Sequence, residues 1–192
     1  MSSGLDRTPD SIKEELRQAK DDLAIIHTRN YLEDGGEIDA ADRQGRTRLH
    51  IAAENGYLKE VQLLLDRGAS IDPRDTSGIT PLHTASQNGH LEVVKLLLDR
   101  DADIDATDAH RGTPLLAATL GHSEVVALLL NRGADTSMKD NNSFTVMDHP
   151  SVSAQSKKII EEHIKASRPI AESYAFFGRS DPASTSATAG PK

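Results

Sequence analysis

The sequence predicts an all-α fold, a solenoid of stacked helix-turn-helix units joined by β-hairpin loops. Three observations predict it. First, one string recurs: "TRLHIAAENGYLKEVQLLLD" from Thr47, "TPLHTASQNGHLEVVKLLLD" from Thr80 and "TPLLAATLGHSEVVALLLN" from Thr113. Second, those threonines stand 33 residues apart, and Asp42, Asp75 and Asp108 each lie five residues upstream. Third, every unit holds two short runs of helical spacing separated by a glycine. Isolated helices below about 12–15 residues are marginal in water, so such runs hold only when neighbouring units stack.

The elements follow in chain order. Residues 1–9 are expected to be flexible, and residues 10–37 form an N-terminal cap. Within that cap "DSIKEELRQAK" (Asp10–Lys20) reads as a first helix and "LAIIHTRNYLEDGG" (Leu23–Gly36) as a second. A break near Asp21-Asp22 and one longer helix are both compatible with the pattern. Three full units span residues 38–133. In each, Thr caps the first helix and Pro81 or Pro114 suits its first position, where an N–H would be unpaired anyway. Gly56, Gly89 and Gly121 end the first helices. Leu91, Val94, Leu97 and Leu98 then share one stripe of a second helix, and Gly68 and Gly133 end theirs with a residue that tolerates positive φ. Asp-rich segments such as "ASIDPRD" turn back as hairpins. Residues 134–166 form a C-terminal cap, in which Ile159, Ile160 and Ile164 share one side of a helix over Ser153–Ser167. Residues 167–192 are rich in Ser, Ala, Thr, Gly and Pro and are expected to be mostly disordered. "YAFFG" (Tyr174–Gly178) is the exception, either docked on the cap or a short ligand for a partner.

Composition narrows the function. The 192 residues carry 22 Lys+Arg against 30 Asp+Glu, a formal net charge of −8. That balance disfavours nucleic acid and anionic membranes as partners. The absence of Cys excludes disulfides, thiolate nucleophiles and Cys-ligated zinc. No apolar run resembles a signal peptide or approaches the roughly 20 residues of a membrane helix. A cytoplasmic protein is expected, or a nuclear one in a eukaryote. With aromatics at 3% and no Trp, the core falls to Leu, Ile, Val and Ala.

The motif "D-x-x-G-x-T-P-L-H" at Asp75–His83, Ala85 with Gly89-His90, and the "LLLxxGA" ends resemble the ankyrin-repeat family. The resemblance implies an ankyrin-repeat solenoid that binds another protein and uses no cofactor. It also implies that His50 and His83, at one repeat position, tie each helix start to the neighbouring hairpin backbone. Departures from the pattern are Arg48 at a Pro position, Asp101 at a Gly position, Leu116 at the His position, and Gly112 directly before Thr113.

Catalytic and metal signals are weak. Asp148-His149 resembles half of a dyad with no recognisable nucleophile. "EEHIK" around His163 lacks the second His of a zinc motif. The paired carboxylates Asp39, Asp72 and Asp105 with Asp42, Asp75 and Asp108 lack the spacing of an EF-hand loop, and are expected to accept hairpin N–H groups.

Positions that vary within the fixed frame are the candidate partner-binding residues. At the hairpin tips these are Arg43, Gln44, Arg46, Thr76, Ser77, Ile79, His110, Arg111, Asn141, Asn142 and Phe144. At the ends of the first helices they are Glu54, Asn55, Gln87, Asn88 and Leu120. By the resemblance, they line the tips and the concave helix face. Ile79, Leu120 and Phe144 are apolar where packing does not require it, and Arg43, Arg46, Arg48 and Arg111 add positive charge. A partner with an acidic and apolar segment matches that set. The expected function is thus a non-enzymatic, monomeric interaction module, a scaffold or regulator. The alternative is an enzyme or small-molecule binder using the concave groove through Asp148-His149 or His110.

Overall fold

The structure, a computed structural model, describes residues 8–167. Residues 1–7 and 168–192 lie outside it, so the expected flexible start, the expected disordered tail and the Tyr174–Gly178 segment fall largely or wholly beyond the described residues. The described residues form eight helices and no strands. They are α1 (Pro9–Glu33), α2 (Arg48–Asn55), α3 (Leu58–Asp66), α4 (Pro81–Gln87), α5 (Leu91–Asp99), α6 (Pro114–Ala118), α7 (Ser123–Asn131) and α8 (Ala154–Ser167).

The helices form two rows. The inner row runs α2, α4, α6, each packed on the next. The outer row pairs α3, α5 and α7 with them, and α1 and α8 close its two ends by packing on α3 and α7. The core between the rows is aliphatic throughout. Leu49, Leu82 and Leu115 from the inner row meet Val61, Leu64, Val94, Leu97, Val126 and Leu129 from the outer row, all but inaccessible to solvent. Ala52, Ala53, Ala85 and Ala118 keep the rows close. Large side chains there would force off-rotamer packing.

Helix starts repeat one device. His50 Nδ1 accepts the Thr47 N–H at 3.1 Å, and its Nε2 lies 3.0 Å from the Ile79 carbonyl of the next unit. His83 does the same with Thr80 and with the Gly112 carbonyl at 3.1 Å. A backbone N–H only donates and a carbonyl only accepts, so both rings are neutral with the proton on Nε2. Where Leu116 replaces the histidine, the ring's two bonds are missing and the Thr113 hydroxyl still accepts the Leu116 N–H at 3.3 Å, as Thr47 and Thr80 do in their units.

The N-terminal cap is a single 25-residue helix, with no break at Asp21-Asp22. Asp21 is buried, and its carboxylate accepts the Lys59 and Glu60 N–H groups at 3.0 and 3.1 Å. It therefore caps α3, whose own N-cap residue, Tyr57, offers no side-chain bond. The C-terminal cap has no first helix. Thr145 opens a single turn, and α8 follows with Ser153 Oγ accepting the Ser156 N–H at 3.1 Å. The Ser156 hydroxyl then donates to the buried Thr119 carbonyl, joining α8 to the last inner helix.

Candidate interaction surface

Four tips have one geometry. Asp42 Oδ1 accepts the N–H groups of Gln44 and Arg46, Asp75 those of Ser77 and Ile79, Asp108 those of His110 and Gly112, and Asp140 those of Asn142 and Phe144. Backbone bonds close the same turns, from Asp42 N to Arg46 O through Asp140 N to Phe144 O. The segments turn back on themselves as expected, and among the described residues an isolated backbone bridge joins Ala41 and Thr47. The backbone N–H of Arg46, aided by the Arg46 side chain and the Gln44 N–H, holds the Asp42 carboxyl below its ordinary pKa.

Adjacent tips are stitched together. Thr76 N donates to Gln44 O, Ala109 N to Ser77 O and Asn141 N to His110 O, at 2.9–3.0 Å. Behind them the second Asp series reaches across unit boundaries. Asp39 accepts the Ser70 N–H, Asp72 that of Asp103 and Asp105 that of Asp135. The carboxylates thus serve the backbone, as their spacing predicts. Among the described residues no group of three His, Asp or Glu side chains is placed to hold a metal ion.

With the backbone of each tip held by its own aspartate, the side chains between are left to solvent. Arg43, Gln44, Thr76, Ser77, His110, Arg111, Asn141 and Asn142 are all exposed. Leu120 and Phe144 are 55% and 39% exposed, and Ile79 is half-buried. Ile79, Gln87 and Leu120 come together around a shallow cavity of about 200 Å³ where the tips meet α4 and α6, with Leu116 and Ala117 as its floor.

Other candidates do different work. Arg46 is bound to Asp42 and Glu54 at 3.1 and 3.2 Å, so two of the expected binding residues neutralise one another. Asn55 and Asn88 fold back onto the Ile51 and Thr84 carbonyls of their own helices at 2.8 Å. The Arg48 guanidinium lies 4.0 Å over the Tyr31 ring of α1, away from the tips. Of the four arginines read as a positive stripe, Arg43 and Arg111 remain at the tips.

Sequence reasoning missed a three-residue cluster at the end of this surface. His149 Nδ1 lies 2.6 Å from the Ser151 hydroxyl, and Asp140 Oδ2 stands 3.7 Å from His149 Nε2. Asp148, the expected partner of His149, instead accepts the Thr145 hydroxyl at 2.8 Å. The Ser151 N–H also points to His149 Nδ1, at 3.3 Å, so the ring closes the turn around Pro150. The Ser151 side chain reaches the cavity beside Leu120.

The histidines that open the outer helices are structural. His90 Nε2 donates to the Glu54 carbonyl at 2.9 Å, and its ring fills the space beside Gly56. A Cβ on Gly56 would stand 2.6 Å from that ring, and Gly56 has φ 69°, so glycine is required there on both counts. Burial holds His83 and His90 below the ordinary imidazole pKa, against the opposite pull of the carbonyls they bond.

The chain matches a family model described as "Ankyrin repeats (3 copies)" over residues 24–108 and again over residues 61–140. The matched span takes in all three units and the second half of α1. No helix among the described residues is long and apolar enough to cross a membrane.

Proposed function

The chain belongs to the ankyrin-repeat family, whose members are in general protein–protein interaction modules, and on that premise we propose that it binds a macromolecular partner, without catalysis, through its tips and inner helix face. One observation carries the reading. The backbone of every tip is saturated by its own aspartate and by its neighbour, while the side chains between are exposed and differ from unit to unit. Such an arrangement presents a pre-ordered surface, so little is lost to ordering on binding. Ile79, Leu120 and Phe144 supply apolar anchors, and Arg43 and Arg111 supply the charge for an acidic segment. Arg46 contributes little, because Asp42 and Glu54 already hold it. Scaffolding or regulation of that partner inside the cytoplasm fits this surface.

The test is capture of a partner with the wild type and with a variant carrying Ala at Arg43, Ile79, Leu120 and Phe144, followed by titration of the purified pair. The variant should remain folded and lose the partner by tenfold or more. A folded variant that retains full affinity removes these residues from the site.

A hydrolytic reading draws on Asp140, His149 and Ser151 beside the cavity. The imidazole nitrogen facing Ser151 also accepts that residue's backbone N–H, and the Asp140 separation exceeds hydrogen-bond range. Both features favour a turn closure over a general base. Ester turnover by the purified chain that disappears with Ser151→Ala would reverse that preference.

A further inference from the structure

One face of α1 stays largely open to solvent, its edge at Leu16 and Leu23 lining shallow grooves shared with Tyr57. Asp21 and Thr28 turn toward α3 and are buried. On the opposite side Ile12, Leu16, Leu23 and Ile26 are each between 50% and 55% exposed. Single exposed apolar residues are ordinary on a protein surface. These are not scattered. With Ala19 and Asn30, both exposed, they follow one another at intervals of 4, 3, 4, 3 and 4 residues. That alternation is the seam of a coiled coil, with Leu16, Leu23 and Asn30 at a and Ile12, Ala19 and Ile26 at d.

The flanking charges identify the occupant. In this register Lys13, Lys20, His27 and Asp34 take the e positions, and Glu15, Asp22 and Arg29 take the g positions. In a parallel pair of identical helices each g residue faces the e residue five positions on in the other copy. Glu15 then meets Lys20, Asp22 meets His27, and Arg29 meets Asp34, so no pair brings like charges together. An antiparallel pair would set e against e and g against g, bringing lysines near lysines. Asp22 is already bound to Lys59 at 2.6 Å, so its pairing with His27 contributes little to orientation. Asn30 at an a position would meet its own counterpart only in the parallel, unshifted register, the best-attested role of a seam asparagine.

We propose that the chain self-associates through α1 as a parallel, in-register homodimer. The seam is short, since free-standing coiled coils need about 3–4 heptads. Here α1 is already ordered on α3, so association costs little further ordering, and a weak, concentration-dependent dimer results. Such a dimer offers two binding surfaces to a partner. This differs from the monomer expected from the sequence and does not depend on what the tips bind.

Sedimentation of the full chain from low to hundreds of micromolar should show the mass rising from 20.7 kDa toward twice that value. Leu16→Glu with Leu23→Glu should hold the mass at the monomer value with an unchanged melting temperature, because both side chains are exposed. Lys20→Glu should weaken the dimer, and adding Glu15→Lys should restore it. The chain has no cysteine, so Asn30→Cys followed by a short thiol-to-thiol crosslinker reads orientation directly. Parallel pairing yields a crosslinked dimer, whereas antiparallel pairing puts the two positions at opposite ends. A constant monomer mass for the wild type, a dimer that survives the Leu16→Glu/Leu23→Glu change, or no crosslink at position 30 would each overturn the proposal.

Discussion

His50 Nε2 donates to the Ile79 carbonyl of the next unit at 3.0 Å while its Nδ1 accepts the Thr47 N–H of its own. One ring therefore fixes a helix start and a neighbouring tip together. His83 repeats the bond to Gly112 one unit on. Tip geometry then depends on the histidine and the tip aspartate, which frees the residues between them to vary.

Stability should fall between neutral and mildly acid pH, in part through the buried imidazoles of His83 and His90. Burial lowers the folded-state pKa of His83 and His90, while the unfolded value is about 6.5. Below that value the unfolded chain binds more protons, so the stability they contribute is complete above about pH 6.5 and is lost as pH falls toward the folded pKa. Glu60 acts in the opposite sense. Burial raises its pKa, so its contribution is lost as pH rises through its folded value. The comparison that isolates the imidazole is His83→Leu, the residue the third unit carries as Leu116. Its denaturant midpoint should be lower at pH 7.5 but fall less between pH 7.5 and 5.5 than that of the wild type. Parallel curves would show that His83 does not titrate with unfolding.

Asp21→Ala should destabilise the protein by about 1–2 kcal/mol, the usual worth of a helix N-cap. Its carboxylate receives the first N–H groups of α3 from another helix. Urea denaturation checks the value. A change below about 0.5 kcal/mol would mean that α3 needs no cap from α1.

Among the described residues three non-glycine residues hold left-handed backbone: Asp101 at φ 65°, Arg111 at φ 62° and Ser143 at φ 66°. Arg111 and Ser143 stand where Gly45 and Gly78 occur in the first two tips. Asp101→Gly and Arg111→Gly should each raise stability, by a few tenths to about 1 kcal/mol, because a side chain penalises this conformation. A lower denaturation midpoint for either would mean that its side chain contributes more than the backbone strain costs.

Ser86→Ala should also stabilise. The Ser86 hydroxyl is buried in α4 without a hydrogen-bond partner among the described residues, and the corresponding residue of α2 is Ala53. Removing a buried unpaired polar group is worth roughly 1 kcal/mol. Calorimetry of the variant should show a higher melting temperature.

Local repetition made much of this legible in the sequence. Thr47, Thr80 and Thr113 keep phase because each opens an inner helix, and the tip aspartates keep phase because each holds two backbone N–H groups. What escaped depended on contacts distant in sequence. The pattern leaves a break at Asp21-Asp22 and a continuous helix both open, and the contact that decides is distant: Asp21 points into α3, 38 residues away, and the helix runs through it. Arg46 looks like a free positive charge until folding brings it to Glu54. Arg48, at the proline position of its repeat, lies over the Tyr31 ring of α1, a contact its own unit does not foretell. The pairing of His149 with Ser151 instead of Asp148 follows from a turn around Pro150 that the chemistry of the residues alone does not specify.

The most direct measurement is amide hydrogen exchange of the chain alone and saturated with its captured partner. Protection should rise at Arg43–Arg46, Thr76–Ile79, His110–Gly112 and Asn141–Phe144 and along α4 and α6, with α5 and α7 unchanged. Protection that rises along α5 and α7 while the tips stay as they were would place recognition on the outer row and contradict a binding surface built from the tips and inner helices.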